Sequence, residues 1–199
     1  CALPISNQFY DVWFNNEIYI ENLASPLLAT YQIKNLKTAI QVLELLIRNK
    51  TIDIDRKIIA EGIANTIKNT NLMGRWQILS TNPLTICDTG HNTEGLQAVL
   101  DQINQTQFNN LHFVFGMVND KNPESMLYLL PNDATYYFCK PDIPRGMLAE
   151  ELQQHGFKAG LRGKAYSSVR DALNSAVNNA GVDDLVFIGG STFVVAEVV

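Results

Sequence analysis

The sequence has 199 residues, of which 46% are hydrophobic, and a formal net charge of -5 at neutral pH. The hydrophobic content is ample for a packed core, and the charge argues against a protein that binds nucleic acid non-specifically. There is no apolar run of about 18 residues and no basic leader before an apolar segment, so we expect neither membrane insertion nor secretion, and a cytoplasmic location.

The three cysteines, Cys1, Cys87 and Cys139, are too far apart in the sequence for a metal-binding knuckle. Cys87 and Cys139 lie within apolar strand patterns. We therefore expect reduced core residues and no metal site. Because the sequence starts with a cysteine in the middle of a pattern, we also expect it to be a piece of a longer protein.

The first part of the chain predicts a strand-rich start followed by helices. Apolar and aromatic residues between Phe9 and Ile20 flank Asn15 and Asn16, which favours a β-hairpin with an Asn-Asn turn. A further strand is predicted at 23–29. One amphipathic helix follows, and a second runs from about residue 55 to residue 68; the apolar face of the first consists of Leu36, Ala39, Ile40, Leu43, Leu46 and Ile47.

From about residue 73 the pattern changes to alternating strands and helices, and we draw the only domain boundary between residues 72 and 73. Gly156 is predicted to end one of these helices. Regular alternation of this kind implies an α/β domain with a largely parallel sheet covered on both faces. The predicted strands are 84–87, 111–115, 135–139, 165–166 and 185–188.

The stretch from Gly74 to Asn92 carries the most informative polar residues. Arg75 precedes the strand at 84–87, and Asp88, His91 and Asn92 follow it in one short loop. Ligands of open α/β sheets bind at the carboxyl ends of strands, where a carboxylate suits ribose hydroxyls and an arginine suits phosphates. This pattern favours a nucleotide site. For Asn92, an alternative is that it caps the next helix.

Two later loops also follow predicted strands. The loop at 116–122 contains Asp120 and Lys121, which on chemistry alone are most simply solvated surface residues. Gly189 and Gly190 precede Ser191 and could direct backbone N–H groups at an anion, although a tight turn with an N-cap explains them equally well.

Several of these segments resemble the folylpolyglutamate synthase / dihydrofolate synthase family of the Mur ligase superfamily. Residues 74–77 and 88–92 are similar to the family's G-R-(aromatic or Leu)-E and D-G-A-H-N motifs, with Gln77 and Thr89 as departures. Residues 31–39 are similar to the H-N/Q-x-x-N-x-x-A stretch that closes the central ATPase domain. The segments 116–122, 144–147 and 189–192 also have counterparts in the family.

The resemblance implies two domains. Residues 73–199 are expected to form the Rossmann-like Mur ligase C-terminal domain, with a mostly parallel sheet. Residues 1–72 are expected to be the strand-rich and helical tail of the central ATPase domain.

The resemblance also implies an ATP-dependent ligase that adds L-glutamate to folate or dihydropteroate through an acyl phosphate. Each candidate residue takes the role of the motif position it matches. Gln32 and Asn35 would contact adenine, Asp88 the ribose and Arg75 the phosphates of ATP, His91 would act as the catalytic residue, and Lys121 and Ser191 would bind the glutamate carboxylates.

The chain lacks the family's G-T-N-G-K-G-S phosphate loop and its Mg²⁺ ligands, so we expect them in a missing N-terminal part. The chain alone is therefore expected to be inactive, and the full enzyme to be a monomer. The alternatives are a peptidoglycan-type Mur ligase or a non-catalytic domain that binds a nucleotide or an amino acid. Without the resemblance, Asn35 is better explained as a helix cap. The resemblance gives Arg145 no role, and we expect it to form an ion pair with Glu150 or Glu151.

Overall fold

The computed structural model describes residues 7–119 and 123–199. The chain divides into two compact units, residues 1–75 and residues 76–199. None of the helices in the described part is long and apolar enough to cross a membrane.

The first unit begins with an antiparallel hairpin of β1 (Gln8–Phe14) and β2 (Glu17–Ser25). Asn15 and Asn16 have φ angles of 51° and 63°, the left-handed values that a two-residue hairpin turn requires at both positions. The predicted hairpin is therefore confirmed. The separate strand predicted at 23–29 is wrong, because β2 continues to Ser25 without a break.

The described part of the first unit continues with the helices α1 (Gln32–Arg48), α2 (Arg56–Ala64) and α3 (Thr66–Thr70). The predicted second helix is interrupted at Asn65, whose side-chain amide donates to the Glu61 carbonyl at 2.8 Å. Such local side-chain bonds compete with the helical ladder. The buried core of this unit consists of Tyr19, Ile20, Leu23, Ile40 and Ile59.

The second unit is built on a six-stranded sheet, in the order β3-β4-β8-β5-β6-β7. β3 is antiparallel to β4, and every other pair is parallel, so the predicted α/β fold is confirmed. The strands are β3 (Gln77–Thr81), β4 (Leu84–Cys87), β5 (Leu111–Phe115), β6 (Thr135–Cys139), β7 (Arg162–Tyr166) and β8 (Leu185–Gly189).

Helices cover both faces of this sheet. α7 and α8 share a core with Val114, Tyr137 and Ile188, whereas the alternate residues Phe113, Tyr136, Phe138 and Phe187 place aromatic rings on the opposite face. The helices are α4 (Thr93–Asn104), α5 (Glu124–Leu127), α6 (Ala149–Lys158), α7 (Val169–Asn179) and α8 (Thr192–Ala196).

Gly156 lies inside α6 and does not end it, contrary to the prediction. A Cβ atom at this position would lie 2.6 Å from Cζ of Phe138. The glycine is therefore explained by the close approach of α6 to the aromatic face of the sheet.

The last strand, β8, is inserted between β4 and β5. This insertion breaks the sequential order of the strands, and ligand sites of open α/β sheets lie at such points, beyond the carboxyl ends of the strands. The ends of β4, β8 and β5 thus define the edge of the sheet where a site is expected.

Candidate functional site

The chain segments that leave β4, β8 and β5 are tightly packed against one another. The Asp88 N–H donates to the Ile188 carbonyl at 3.1 Å, and the Gly116 N–H donates to the Gly189 carbonyl at 3.4 Å. Gly190 has a φ of 91°, and a Cβ atom there would lie 2.7 Å from the Gly116 carbonyl oxygen. Only glycine fits between these segments, which keeps the edge of the sheet compact.

The Asp88 side chain is 2% exposed and is held by backbone donors. Its Oδ2 accepts from the Trp76 N–H at 2.7 Å, and its Oδ1 accepts from the Gly90 N–H at 2.8 Å. The carboxylate therefore fixes its own loop and the start of β3. Nothing in the sequence indicated this link to Trp76, because the two residues belong to different predicted segments.

Trp76 has an unusual backbone for an aromatic residue, with a φ of 50°. The left-handed conformation costs a residue with a Cβ about 1–2 kcal/mol. The bond to Asp88 and the burial of the indole, whose ring centroid is 5.8 Å from that of Phe187, stabilise it here.

His91 and Asn92 lie at the exposed end of the same loop. His91 Nδ1 lies 3.1 Å from the Thr89 carbonyl oxygen, an acceptor, so Nδ1 carries the proton of the neutral ring. Asn92 is the N-cap of α4, and its Oδ1 accepts from the Gly95 N–H at 2.7 Å. The capping alternative for Asn92 is thus confirmed.

Ser191 is 3% exposed and is the N-cap of α8, since its Oγ accepts from the Phe193 N–H at 3.2 Å. The N-cap explanation of this turn is therefore confirmed, and glutamate binding by Ser191 stays a prediction. Lys121, the other predicted glutamate ligand, lies outside the described residues.

Gln32 and Asn35 lie at the start of α1, in the first unit. Gln32 is 3% exposed, and its Oε1 accepts from Asn35 Nδ2 at 2.8 Å. The alternative that Asn35 caps this helix is wrong, because α1 begins at Gln32 and Asn35 lies one turn inside it. Arg75, at the end of this unit, is exposed.

Arg145 lies in the segment between β6 and α6. Its Cζ is 4.9 Å from the ring centroid of Phe193, within cation–π range. The guanidinium therefore lies over an aromatic ring of α8, and the ion pair with Glu150 or Glu151 stays a prediction.

The sequence that forms the second unit matches a known protein family. Residues 74–192 match the model of the family described as Mur ligase, glutamate ligase domain. The chain belongs to the Mur ligase family. This membership agrees with the parallel sheet and with the loops at its carboxyl edge.

Individual Mur ligase relatives are named for folate chemistry. The chain is 34% identical over 175 residues to a probable bifunctional folylpolyglutamate synthase/dihydropteroate synthase of Haloferax volcanii, covering 86% of this chain and 20% of that protein. The structure of E. coli FolC in complex with DHPP and ADP matches with a TM-score of 0.75 and 30% identity, over 90% of this chain and 40% of that one.

A third structure contains further ligands. A bifunctional folylpolyglutamate synthase/dihydrofolate synthase with Mn, AMPPNP and L-glutamate bound matches with a TM-score of 0.64 and 27% identity, over 74% of this chain and 34% of that one. The predicted resemblance to this group of ligases is confirmed. The chain spans two-fifths or less of the length of each of these relatives.

Within residues 7–119 and 123–199, no group of three or more His, Cys, Asp or Glu side chains could hold a metal ion. Cys87 and Cys139 are both free and buried, as the sequence predicted.

Proposed function

We propose that the protein containing this chain is an ATP-dependent ligase that joins L-glutamate to folate or to dihydropteroate. The observation that carries the proposal is the match of residues 74–192 to a glutamate ligase domain. The relatives named for folate chemistry support the substrate class, and their bound ADP, AMPPNP and L-glutamate support the co-substrates. They also favour folate chemistry over the peptidoglycan-type alternative.

The proposed reaction activates a carboxylate. A carboxylate is a poor electrophile, so its oxygen first attacks the γ-phosphorus of ATP, which forms an acyl phosphate and releases ADP. The amine of glutamate then adds to the acyl carbon, and the tetrahedral intermediate expels phosphate to leave an amide. Most of the rate enhancement in such transfers comes from positioning and from groups that stabilise the developing charge.

Mg²⁺ is the metal proposed for the ATP complex, and a Mn-bound relative supports a divalent ion. The described residues of this chain do not provide a cluster that could hold it. We propose, from the resemblance of the sequence to the ligase family, that the metal ligands belong to the N-terminal part of the protein.

For the nucleotide, we propose that Arg75 binds the phosphates, that Asp88 binds the ribose and that Gln32 and Asn35 meet the adenine. The hydrogen bond between Gln32 Oε1 and Asn35 Nδ2 orients both side-chain amides. Oriented amides suit the edge of an adenine base, which has both donors and acceptors. An ionised carboxylate accepts hydrogen bonds at both of its oxygens, which suits the hydroxyl donors of a ribose.

For the chemical step, we propose His91 as the general base. The ammonium group of the incoming glutamate must lose a proton before its nitrogen can attack. The contact between Nδ1 and the Thr89 carbonyl oxygen favours the tautomer whose proton-accepting nitrogen is Nε2. The exposed position of His91 at the end of the loop supports this role.

For the amino acid, we propose that Ser191 and Lys121 bind the glutamate carboxylates. Ser191 Oγ accepts from the Phe193 N–H, and its hydroxyl proton is suited to a carboxylate oxygen. The role of Lys121 rests on its sequence motif alone.

The test is steady-state ADP release by the full-length protein, with ATP, L-glutamate and the pterin substrate omitted in turn. ADP release should require all three. Arg75→Ala should raise the KM for ATP about tenfold to a hundredfold, the equivalent of losing one or two charge-assisted hydrogen bonds. Arg162→Met, at the amino end of β7, is the matched control and should leave this KM unchanged.

Two outcomes would favour one of the alternative functions. ADP release with a peptidoglycan precursor but with neither folate nor dihydropteroate would favour the peptidoglycan-type ligase. Binding of ATP or glutamate without turnover by the full-length protein would favour a non-catalytic domain. The 199-residue chain by itself is proposed to be inactive, and the same assay on that chain should detect no ADP release. The monomeric state and the cytoplasmic location remain predictions.

A further inference from the structure

The segment Pro141–Gly146, which we call the Pro-Arg turn, lies between β6 and α6 and is closed by hydrogen bonds within itself. The Ile143 N–H donates to the Pro141 carbonyl at 2.8 Å, and the Gly146 N–H donates to the Ile143 carbonyl at 3.0 Å. A Cβ atom at Gly146 would lie 2.5 Å from the Pro141 carbonyl oxygen, so the turn can close only around glycine. This closure determines the direction in which Arg145 leaves the turn.

The Pro-Arg turn contacts α8 at both ends of that helix. The Arg145 guanidinium carbon lies 4.9 Å from the centroid of Phe193, near the start of α8. At the other end, the Asp142 N–H donates to Glu197 Oε1 at 2.7 Å. Because α8 has only five residues, it is too short to be stable alone, and its placement depends on contacts of this kind.

The same turn also contacts the segment that leaves β5. The Asn119 N–H donates to the Arg145 carbonyl at 2.9 Å, and the Met147 N–H donates to the Met117 carbonyl at 3.0 Å. Val118 and Gly146 form an antiparallel bridge between these two bonds. Arg145 thus contacts α8 through its side chain and the exit of β5 through its main chain.

We propose that Arg145 is a positioning residue for the amino-acid substrate, which it serves by fixing Ser191 through Phe193. The guanidinium of Arg145 lies over the Phe193 ring, and the Phe193 N–H donates to Ser191 Oγ. Arg145 therefore restricts the position of the Ser191 hydroxyl through Phe193. The inference rests on the proposed role of Ser191 in binding glutamate. The guanidinium itself is given no contact with substrate.

The test is a double-mutant cycle in the full-length protein, with Arg145→Met, Phe193→Leu and the double variant. Each single variant should raise the KM for L-glutamate about threefold to tenfold, and kcat and the KM for ATP should stay within about twofold. The double variant should be no worse than the more affected single variant, because both substitutions remove the same contact. Arg145→Lys keeps a cation over the ring and should restore part of the loss.

A readout that does not depend on activity separates this inference from the proposed function. Amide hydrogen exchange at residues 193–195 should be faster in Arg145→Met and unchanged in the control Arg162→Met. Unchanged exchange at these amides, or KM effects that simply add in the double variant, would overturn the positioning role. If the wild-type protein has no ligase activity but the exchange result is as expected, the proposed function fails while the contact between Arg145 and α8 stands.

Discussion

The carboxylate of Asp88 accepts a 2.7 Å hydrogen bond from the backbone N–H of Trp76, a residue in the left-handed conformation. Trp76 directly follows Arg75, so this bond fixes the backbone next to the proposed phosphate ligand. One aspartate therefore has a structural role in addition to the ribose contact that its sequence motif implies.

The structural role of Asp88 predicts a large loss of stability on truncation. Asp88→Ala leaves the Trp76 and Gly90 N–H groups without their acceptor and should lower the free energy of unfolding by about 3 kcal/mol. Asp88→Asn keeps one acceptor oxygen and should cost about half as much. Urea unfolding measures both, with the exposed Asp101→Ala as the control. A loss below about 0.5 kcal/mol for Asp88→Ala would show that the two bonds contribute little.

The left-handed backbone of Trp76 predicts that glycine at this position is more stable than alanine. Trp76→Ala and Trp76→Gly both remove the buried indole, at a cost of about 3–5 kcal/mol. Glycine tolerates a φ of 50°, whereas alanine is strained there, so the glycine variant should be the more stable of the two by about 1 kcal/mol. Thermal and urea unfolding of the two variants compare them directly. An alanine variant that equals or exceeds the glycine variant in stability would argue against a strained Trp76.

The carboxylate of Asp184 is expected to stabilise the folded protein at neutral pH and to lose this effect in acid. Burial of its carboxyl acts to raise the pKa, but hydrogen bonds from Gly181, Asn110 and His112 outweigh burial and hold the pKa below its ordinary value. A lowered folded-state pKa stabilises the protein above the unfolded-state value of about 4, and this stability is lost as the pH falls through the folded-state pKa. The free energy of unfolding should therefore decrease as the pH is lowered below about 4.

Two aspartate variants isolate that effect. Asp184→Asn should flatten the acid side of the stability profile, whereas Asp183→Asn, at the exposed neighbouring position, should leave its slope unchanged. Urea unfolding at a series of pH values between about 5 and about 3 gives the slopes. Equal slopes for wild type and Asp184→Asn would exclude Asp184 as the source.

The buried thiols are expected to be unreactive in the folded protein. Burial, with the nearby Asp88 charge, raises the pKa of Cys87 to about 12, and burial together with Glu197 raises the pKa of Cys139. Because the thiolate is the reactive species, iodoacetamide at about pH 8 should leave both residues unmodified until urea is added. Peptide mass spectrometry identifies the modified sites. Rapid labelling of Cys139 without denaturant would contradict its burial.

The parts of the fold that follow from local patterns were predictable from the sequence. The Asn15-Asn16 turn and the apolar runs that form β4, β5, β6 and β8 each depend on residues that are close in the chain. β7 was predicted only at 165–166, whereas it begins at Arg162. β3 was missed because polar residues obscure its alternation, and its place in the sheet depends on pairing with β4. The insertion of β8 between β4 and β5 was also beyond the sequence, since strand order depends on contacts between distant segments.

The candidate site divides in the same way. The family motifs indicated Arg75, and polar residues directly after buried strands indicated Asp88, His91 and Ser191. The partners of these residues were not predictable: the Trp76 N–H for Asp88 and the Phe193 ring for Arg145 are long-range contacts. The sequence therefore indicated the candidate polar residues, whereas their hydrogen-bond and ring partners depend on how distant segments pack at the edge of the sheet.

The most direct test of the account follows the oxygen atoms of the activated carboxylate. The full-length protein would be supplied with ATP, L-glutamate and a folate or dihydropteroate whose carboxylate carries heavy oxygen, and the released phosphate analysed by mass spectrometry. Activation through an acyl phosphate predicts that each glutamylated product is accompanied by one phosphate that carries one heavy oxygen. Glutamylated product with unlabelled phosphate, or no glutamylated product with either pterin substrate, would contradict the account.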